Sequence, residues 1–280
     1  MAIRGWWRPS AAVVAVLAAV CASGPERSGA TDTASSPGPL PADRYTYTSQ
    51  DYQRAERASA LLVRQCMAKL GHPDFPLDPR YPTDPIVMAA VSTDYGALDL
   101  AAARRWGYGW DPKKSLVSQP KGRRMTAAEY ADEPACNAEV DQQLMRGIDV
   151  QKDWLYAGQR AIEVDKAVKG DPRLRAAFEV WSHCMAEQGF TRYPDPVAAY
   201  TDKAWQRDSD GNTLRTRQER ATATADVTCK RRHHTTEVWH AVRAQKQTAD
   251  ITQHRDRYAA GLRALRTYRA NIAAVVSRLG

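Results

Sequence analysis

Three groups of side chains in this 280-residue sequence have types and spacings that could do chemistry. The first is His233-His234-Thr235-Thr236-Glu237-Val238-Trp239-His240. On a helix, positions 233, 237 and 240 share one face, and Glu-x-x-His is the spacing used by carboxylate-bridged di-metal bundles. Such a site draws on a second Glu-x-x-His and two further carboxylates. The sequence offers no second copy, and Lys230, Arg231 and Arg232 next to it disfavour a cation. A solvated polar face is expected there, with no metal and no other cofactor. Cys184 beside His183 has the makings of a thiol nucleophile, but a cysteine placed for a bridge has no thiolate to offer. A Gly-x-Ser-x-Gly elbow, a Gly-x-x-x-x-Gly-Lys phosphate loop and His-Glu-x-x-His are all missing from the sequence.

The second group is aromatic. Trp106-Gly107-Tyr108-Gly109-Trp110 alternates rings with glycines, so an extended backbone would present all three rings on one side. That platform could stack on the sugars of a cell-wall glycan; the other reading is a plug for the open end of a helical core. Upstream, Pro73, Pro76, Pro79, Pro82 and Pro85 recur at intervals of three, the turn of a polyproline II helix. Phe75, Asp78, Tyr81 and Asp84 would share another edge. Phe75 and Tyr81 would then belong to a docking strip for a partner's aromatic groove, or the whole stretch is an extended loop pinned across helices.

The third group is cysteine, and it leads to the elements that must position everything else. Apart from Cys21, the chain carries Cys66, Cys136, Cys184 and Cys229. Leu61-Leu62-Val63-Arg64-Gln65-Cys66-Met67-Ala68-Lys69-Leu70-Gly71 is echoed by Phe178-Glu179-Val180-Trp181-Ser182-His183-Cys184-Met185-Ala186-Glu187-Gln188-Gly189, sharing Cys-Met-Ala-x-x-Gly. Each copy continues through a Pro-containing loop to a second cysteine in a polar helix. Duplicated units tend to carry their own staple, which favours Cys66 with Cys136 and Cys184 with Cys229. Cys66 with Cys184 and Cys136 with Cys229, joining equivalent positions, is the competing pattern.

The repeated Cys-Met-x-x-x-Gly helix end, the downstream Asp226-Val227-Thr228-Cys229-Lys230 helix and Trp239 ten residues beyond Cys229 resemble a group of exported, often lipid-anchored actinobacterial proteins of uncharacterised function. The likeness runs over residues 50–275. It implies an extracytoplasmic location and carries no catalytic residue with it. The first copy departs from the pattern at His72, where an aromatic would follow the glycine.

Helical elements follow from periodicity. With 46 alanines and three phenylalanines, helices packed through small side chains are expected rather than a β-rich core. Tyr52, Ala55, Ser59, Leu62, Cys66 and Leu70 mark one face of a helix over Ser49–Leu70 that Gly71 ends. Thr126-Ala127-Ala128-Glu129 has the form of a capping box. A long helix is expected over 134–168 with Cys136, Val140, Leu144, Ile148, Leu155 and Ile162 inward, before Asp171 and Pro172 open the next. From about Thr213 the chain reads as helical to its end, with Ile251, Tyr258, Leu262, Leu265, Ile272 and Val276 as its stripe. Unbroken, some 60 residues would reach roughly 90 Å, so the arm either bends or pairs along the 134–168 helix. The expected fold is all-α: two helix-loop-helix repeats with long helices, antiparallel or coiled-coil-like, stapled by two disulfides.

Arg4 and Arg8 precede the small apolar run Ala11 to Val20, the length of a signal-peptide core and short of the roughly 20 residues that span a bilayer. Residues 1–24 read as a signal peptide. Leu17-Ala18-Ala19-Val20 before Cys21 is similar to a bacterial lipobox, with Val20 where a small residue is usual, so lipid attachment at Cys21 stands beside simple secretion. Residues 25–44 are rich in Ser, Gly and Pro and read as a disordered tether. The rest, 45–280, reads as one helical domain made of repeat 45–169 and repeat 170–280.

Of the formal net charge of +8, the last part of the chain, 192–280, holds 17 Lys+Arg against 9 Asp+Glu. Arg255, Arg257, Arg263, Arg266 and Arg269 cluster near its end. Outside a cell such a cluster meets anionic headgroups and wall polymers rather than nucleic acid. The sequence therefore points to a secreted protein, or one lipid-anchored on the outer face of the cytoplasmic membrane, that binds or positions a partner and catalyses nothing. Expected partners are an anionic envelope surface, an envelope protein or a cell-wall glycan, with the membrane reached only through the lipid. Its rivals are an accessory part of an envelope transport or wall-assembly complex, and a metal-binding or enzymatic helical protein centred on His233, Glu237 and His240.

Overall fold

The structure, a computed structural model, describes residues 37–76, 95–113, 123–208 and 211–280. The repeated motif proves to be a physical unit. Helix α1, Ser49–Lys69, begins at Thr48, whose hydroxyl accepts the Asp51 N–H while the Asp51 carboxylate takes the Thr48 N–H. It ends where Gly71 turns left-handed at φ +95°. There the His72 N–H reaches the Met67 carbonyl at 2.9 Å and the Gly71 N–H reaches that of Ala68 at 3.2 Å. Helix α5, Pro172–Glu187, closes the same way: Gly189 at φ +80°, Phe190 N–H to Met185 O at 3.1 Å and Gly189 N–H to Ala186 O at 2.9 Å. In Cys-Met-Ala-x-x-Gly, then, the cysteine is the staple, the methionine is fully buried in both copies, and the glycine supplies the turn that an L side chain resists. In the second copy Phe190 packs on the core beside this turn. In the first, His72 instead bonds Asp132 Oδ2 at 2.8 Å, and Phe75, three residues on, fills the core.

Among the described residues every regular element is helical. Between α1 and α5 lie α2, Leu100–Trp106, α3, Ala127–Leu144, and α4, Tyr156–Lys169; after α5 come α6, Pro196–Tyr200, α7, Arg217–Arg232, α8, Thr235–Gln253, and α9, Arg255–Leu279. The expected capping box opens α3, with Thr126 Oγ1 accepting the Glu129 N–H and Glu129 accepting that of Thr126. Asp171 caps α5 with Pro172 in its first turn.

One expectation about long helices is corrected, and one alternative left open is decided. The 134–168 helix is broken: α3 stops at Leu144, Asp149 caps a five-residue π turn, Val150–Trp154, and α4 starts afresh. The new start resets the helical phase, so Leu155 and Ile162 lie outward while Val164 and Val168 fill a core. The C-terminal arm bends twice, at His233-His234, where His234 has φ +51°, and at His254.

Packing crosses the boundary between the repeats. One core joins α1 (Ala58, Leu62, Met67) and α3 (Val140, Leu144) to α9 of the second copy (Tyr268, Ile272, Val275). Another joins α5 (Trp181, Met185) and α7 (Ala223, Val227) to α2 of the first copy through Ala103. A third, between α4, α5 and α8, holds Val168, Leu174 and Trp239. Each copy thus supplies a helix to the core of the other, and neither span, 45–169 nor 170–280, is a packing unit by itself.

Within the tether expected over 25–44, residues 37–44 are docked on the body instead of free. From residue 37 the chain lies along α8 and α9. His240 Nε2 meets the Gly38 carbonyl at 2.8 Å, the Ala42 N–H donates to Gln247 Oε1 at 3.0 Å, and the Tyr45 ring sits 4.8 Å from that of Tyr258. Residues 25–36, like the signal peptide and Cys21, lie outside the described residues.

Both disulfides form within a copy, Cys66–Cys136 and Cys184–Cys229. They close loops separated by 70 and 45 residues, for which the chain-entropy model gives about 4 kcal/mol each. Non-reducing peptide mapping should recover these two pairs and neither cross-copy pair. Replacing Cys184 and Cys229 together by serine should lower the calorimetric Tm by roughly 10 °C; an unchanged Tm would refute a stabilising role for that bridge.

Candidate functional site

Two charges are fully buried in the second core. Asp226 and Lys230 are one turn apart on α7 and 0% and 2% exposed. An ammonium carries three protons, and each has an acceptor: Asp226 Oδ2 at 2.9 Å, the Tyr95 carbonyl at 2.8 Å and the Ala97 carbonyl at 3.1 Å. Asp226 Oδ1 accepts the Trp181 indole N–H at 3.0 Å. Burial pushes the Asp226 carboxyl up and the Lys230 ammonium down, and their attraction opposes both shifts. The pair therefore serves as an anchor. It holds the 95–98 segment of the first copy against α7 of the second, helped by Arg231 Nη2 donating to the Leu98 carbonyl at 3.2 Å.

This anchor delivers the aromatic loop. Trp106 is the last residue of α2, and Gly107 turns left-handed at φ +65°, so the backbone is not extended and the three-ring platform does not form. Tyr108 is 2% exposed, its ring against Tyr200 and Trp205 at 5.6 and 5.7 Å. Its N–H donates to Glu219 Oε1 at 2.9 Å. A Cβ at position 107 would lie 2.5 Å from that oxygen, which is why glycine stands there. Trp110 is half-buried and its N–H donates to Asn212 Oδ1 at 3.0 Å; Trp106 is half-buried under the Arg105 guanidinium at 4.7 Å. The loop is a plug, and Tyr108 offers no partner surface. Phe75, expected on a docking strip, is buried in the first core. Tyr81 and prolines 79, 82 and 85 lie outside the described residues.

The arginines of the arm divide into two sets. Arg269 forks onto Asp51, Nε to Oδ1 at 2.7 Å and Nη2 to Oδ2 at 2.6 Å, tying α9 to the start of α1. Arg257 pairs with Asp153 at 3.4 Å, bonds the Lys152 carbonyl and stacks over Tyr156 at 4.6 Å. Arg255, Arg263 and Arg266 are exposed on α9.

The triad His233, Glu237 and His240 is not assembled. His233 caps the end of α7 and α8 begins only at Thr235, so the break removes the shared face. His240 holds Gly38, and Glu237 lies 3.4 Å from His234. No group of three or more His, Cys, Asp or Glu side chains among the described residues could hold a metal ion. Cys184 is bridged, which removes it as a nucleophile.

Sequence reasoning passed over two centres. Asp226 and Lys230 were not singled out as a pair; their setting among Ala223, Ala225 and Val227 was the available signal. Asp250 gathers the Arg160 guanidinium, the Tyr258 hydroxyl at 2.7 Å and His254 at 3.3 Å. Burial alone would raise its carboxyl, but the bonds from Arg160 and Tyr258 and the Arg160 charge hold it below the usual range.

With this geometry in hand, the class is an all-helical protein with two disulfides, the mark of a non-reducing, extracytoplasmic setting. No helix among the described residues is long and apolar enough to cross a membrane. No protein-family model, curated protein or solved structure matches the chain.

Lys230→Met alone should strand a buried carboxylate and cost roughly 3–5 kcal/mol in denaturant unfolding, while Lys230→Met with Asp226→Leu should recover most of that loss. A double variant as weak as the single one would show that the charge pair is not the source. For Asp51, burial works upward, yet Arg269 and the Thr48 groups hold the carboxyl down at about 2. Its folded value is depressed, so the stabilisation is complete above the unfolded value and lost as pH falls through the folded one. Arg269→Met should cost roughly 1–2 kcal/mol at neutral pH, with the difference from the parent closing between pH about 4 and about 2.

Proposed function

We propose that the chain is an exported, non-enzymatic helical protein of the cell envelope that docks on an anionic surface through the outward face of α9. Arg255, Arg263 and Arg266 carry this reading. At 100° per residue they fall within an arc of about 80° on one helix, exposed, and no ion pair or hydrogen bond engages them among the described residues. Folding uses Arg257 and Arg269 and leaves these three to meet an external anion. Near an anionic surface each contributes about 1 kcal/mol. Three together give a weak, salt-sensitive attraction, suited to orienting a body already kept near the envelope by export or by a lipid on Cys21.

The disulfides and the interlocked cores favour a rigid body of this kind, because a docking face is useful only if its charges keep their spacing.

The mature protein should bind vesicles rich in phosphatidylglycerol and not vesicles of phosphatidylcholine, with affinity falling steeply as salt rises. Replacing Arg255, Arg263 and Arg266 together by Gln should weaken that binding by roughly 100-fold and leave Tm unchanged. Binding that ignores both salt and the triple variant would refute the proposal.

A further inference from the structure

A second surface, independent of α9, carries its own chemistry. Arg175, Phe178, Glu179 and Ser182 succeed one another at positions i, i+3, i+4 and i+7 and so share one face of α5. The 192–195 turn runs opposite this face, and a groove of about 490 Å³ lies between them, with Lys169 from the end of α4 at its rim. That volume is within the roughly 300–1,000 Å³ of small-ligand sites.

The groove is built rather than incidental. Ser182 Oγ donates to the Tyr193 carbonyl at 2.5 Å, fixing the turn to the helix, and the Tyr193 hydroxyl donates to Asp202 Oδ2 at 2.7 Å on its other side. Arg192, which lines the groove, donates from Nη2 to His183 Nε2 on α5 at 2.9 Å. The Phe178 wall is held edge-on against Trp239 at 5.0 Å.

We propose that this groove binds a small carboxylate-bearing ligand with the chemistry of a peptide's C-terminal end. Arg175 and Glu179 stand one turn apart, the spacing at which helix ion pairs form, yet they make none, and neither engages another side chain among the described residues. Both charges are left for something else. Arg175, Arg192 and Lys169 offer donors for a carboxylate, Arg in the forked geometry that fits it. Glu179 beside them disfavours a bare anion such as phosphate, but welcomes a ligand that follows its carboxylate with an N–H donor. A C-terminal residue does this: its amide N–H is two bonds from the carboxylate carbon, and its side chain points away toward an apolar wall such as Phe178 and Pro194. Asp195 plays a lesser part, because its Oδ1 caps α6 through the Ala198 N–H.

The probe is N-acetyl-Ala-Ala with a free carboxylate, set against its C-terminal amide and against inorganic phosphate, titrated calorimetrically and by chemical shift into the full mature protein. The acid should bind, the amide at least tenfold more weakly, and phosphate no better than the amide. Arg175→Gln and Glu179→Gln, both on the exposed face of α5, should each weaken the acid by roughly tenfold with Tm unchanged. Their vesicle binding should match the parent's, which separates this site from the α9 face. Equal binding of acid and amide, phosphate as tight as the dipeptide, affinity indifferent to both substitutions, or no binding of any probe at millimolar concentration would each overturn the proposal.

Discussion

A lysine ammonium shut away from water has to find three acceptors or not be there at all, because leaving one proton unpaired in a low-dielectric interior costs kilocalories. Lys230 finds one on its own helix, at Asp226, and two on the backbone at Tyr95 and Ala97. The last two are more than a hundred residues away in the chain, so satisfying the charge fixes where that distant segment must run. Once it lies on α7, α2 follows it and the turn at Gly107 brings Tyr108 into the core. A hydrophobic contact in the same place would have held the segment loosely and tolerated a shift in register; three directional bonds do not.

The remaining architecture extends the same exchange between copies. While α2 crosses to complete the second core, α9 crosses back to complete the first. Carboxylates also tie the two copies together. Asp51 receives Arg269 at the start of α1, and Asp250 receives Arg160 and Tyr258 where α8 approaches α4. The disulfides act within a copy, while the Asp51–Arg269, Asp250–Arg160 and Asp153–Arg257 pairs act between copies.

What was legible in the sequence is what is decided locally. The end of α1, the capping box at Thr126, the Asp171-Pro172 start and the pairing of the cysteines all depend on residues a few positions apart or on the repeat itself. The break between α3 and α4 was not legible, since the Cys136, Val140 and Leu144 pattern continues plausibly into Ile148 and Leu155, and only packing decides that Val164 and Val168 face inward instead. Of the two readings of the alternating rings at 106–110, the plug formed and the platform did not, for a similar reason. Alternation implies a strand-like backbone only when nothing competes for it, and here helix α2 captures Trp106 while Glu219 captures the Tyr108 N–H. The basic arm was named as one group of five arginines. Which of its arginines are committed to the fold depended on Asp51 and Asp153, both far away in sequence.

The strand of chain that runs from residue 37 to Thr48 along α8 and α9 has a mechanical consequence. A pull applied from the N-terminal side does not arrive first at α1. It meets the Gly38 to His240 bond, then the Ala42 to Gln247 bond and the Tyr45 ring on Tyr258, in sequence along the helices. These links yield one after another, like stitches in a seam, while the load on α1 stays small until the last has gone. Behind them stands the Asp51 fork to Arg269. The stapled helices are thereby insulated from tension at the end of the chain.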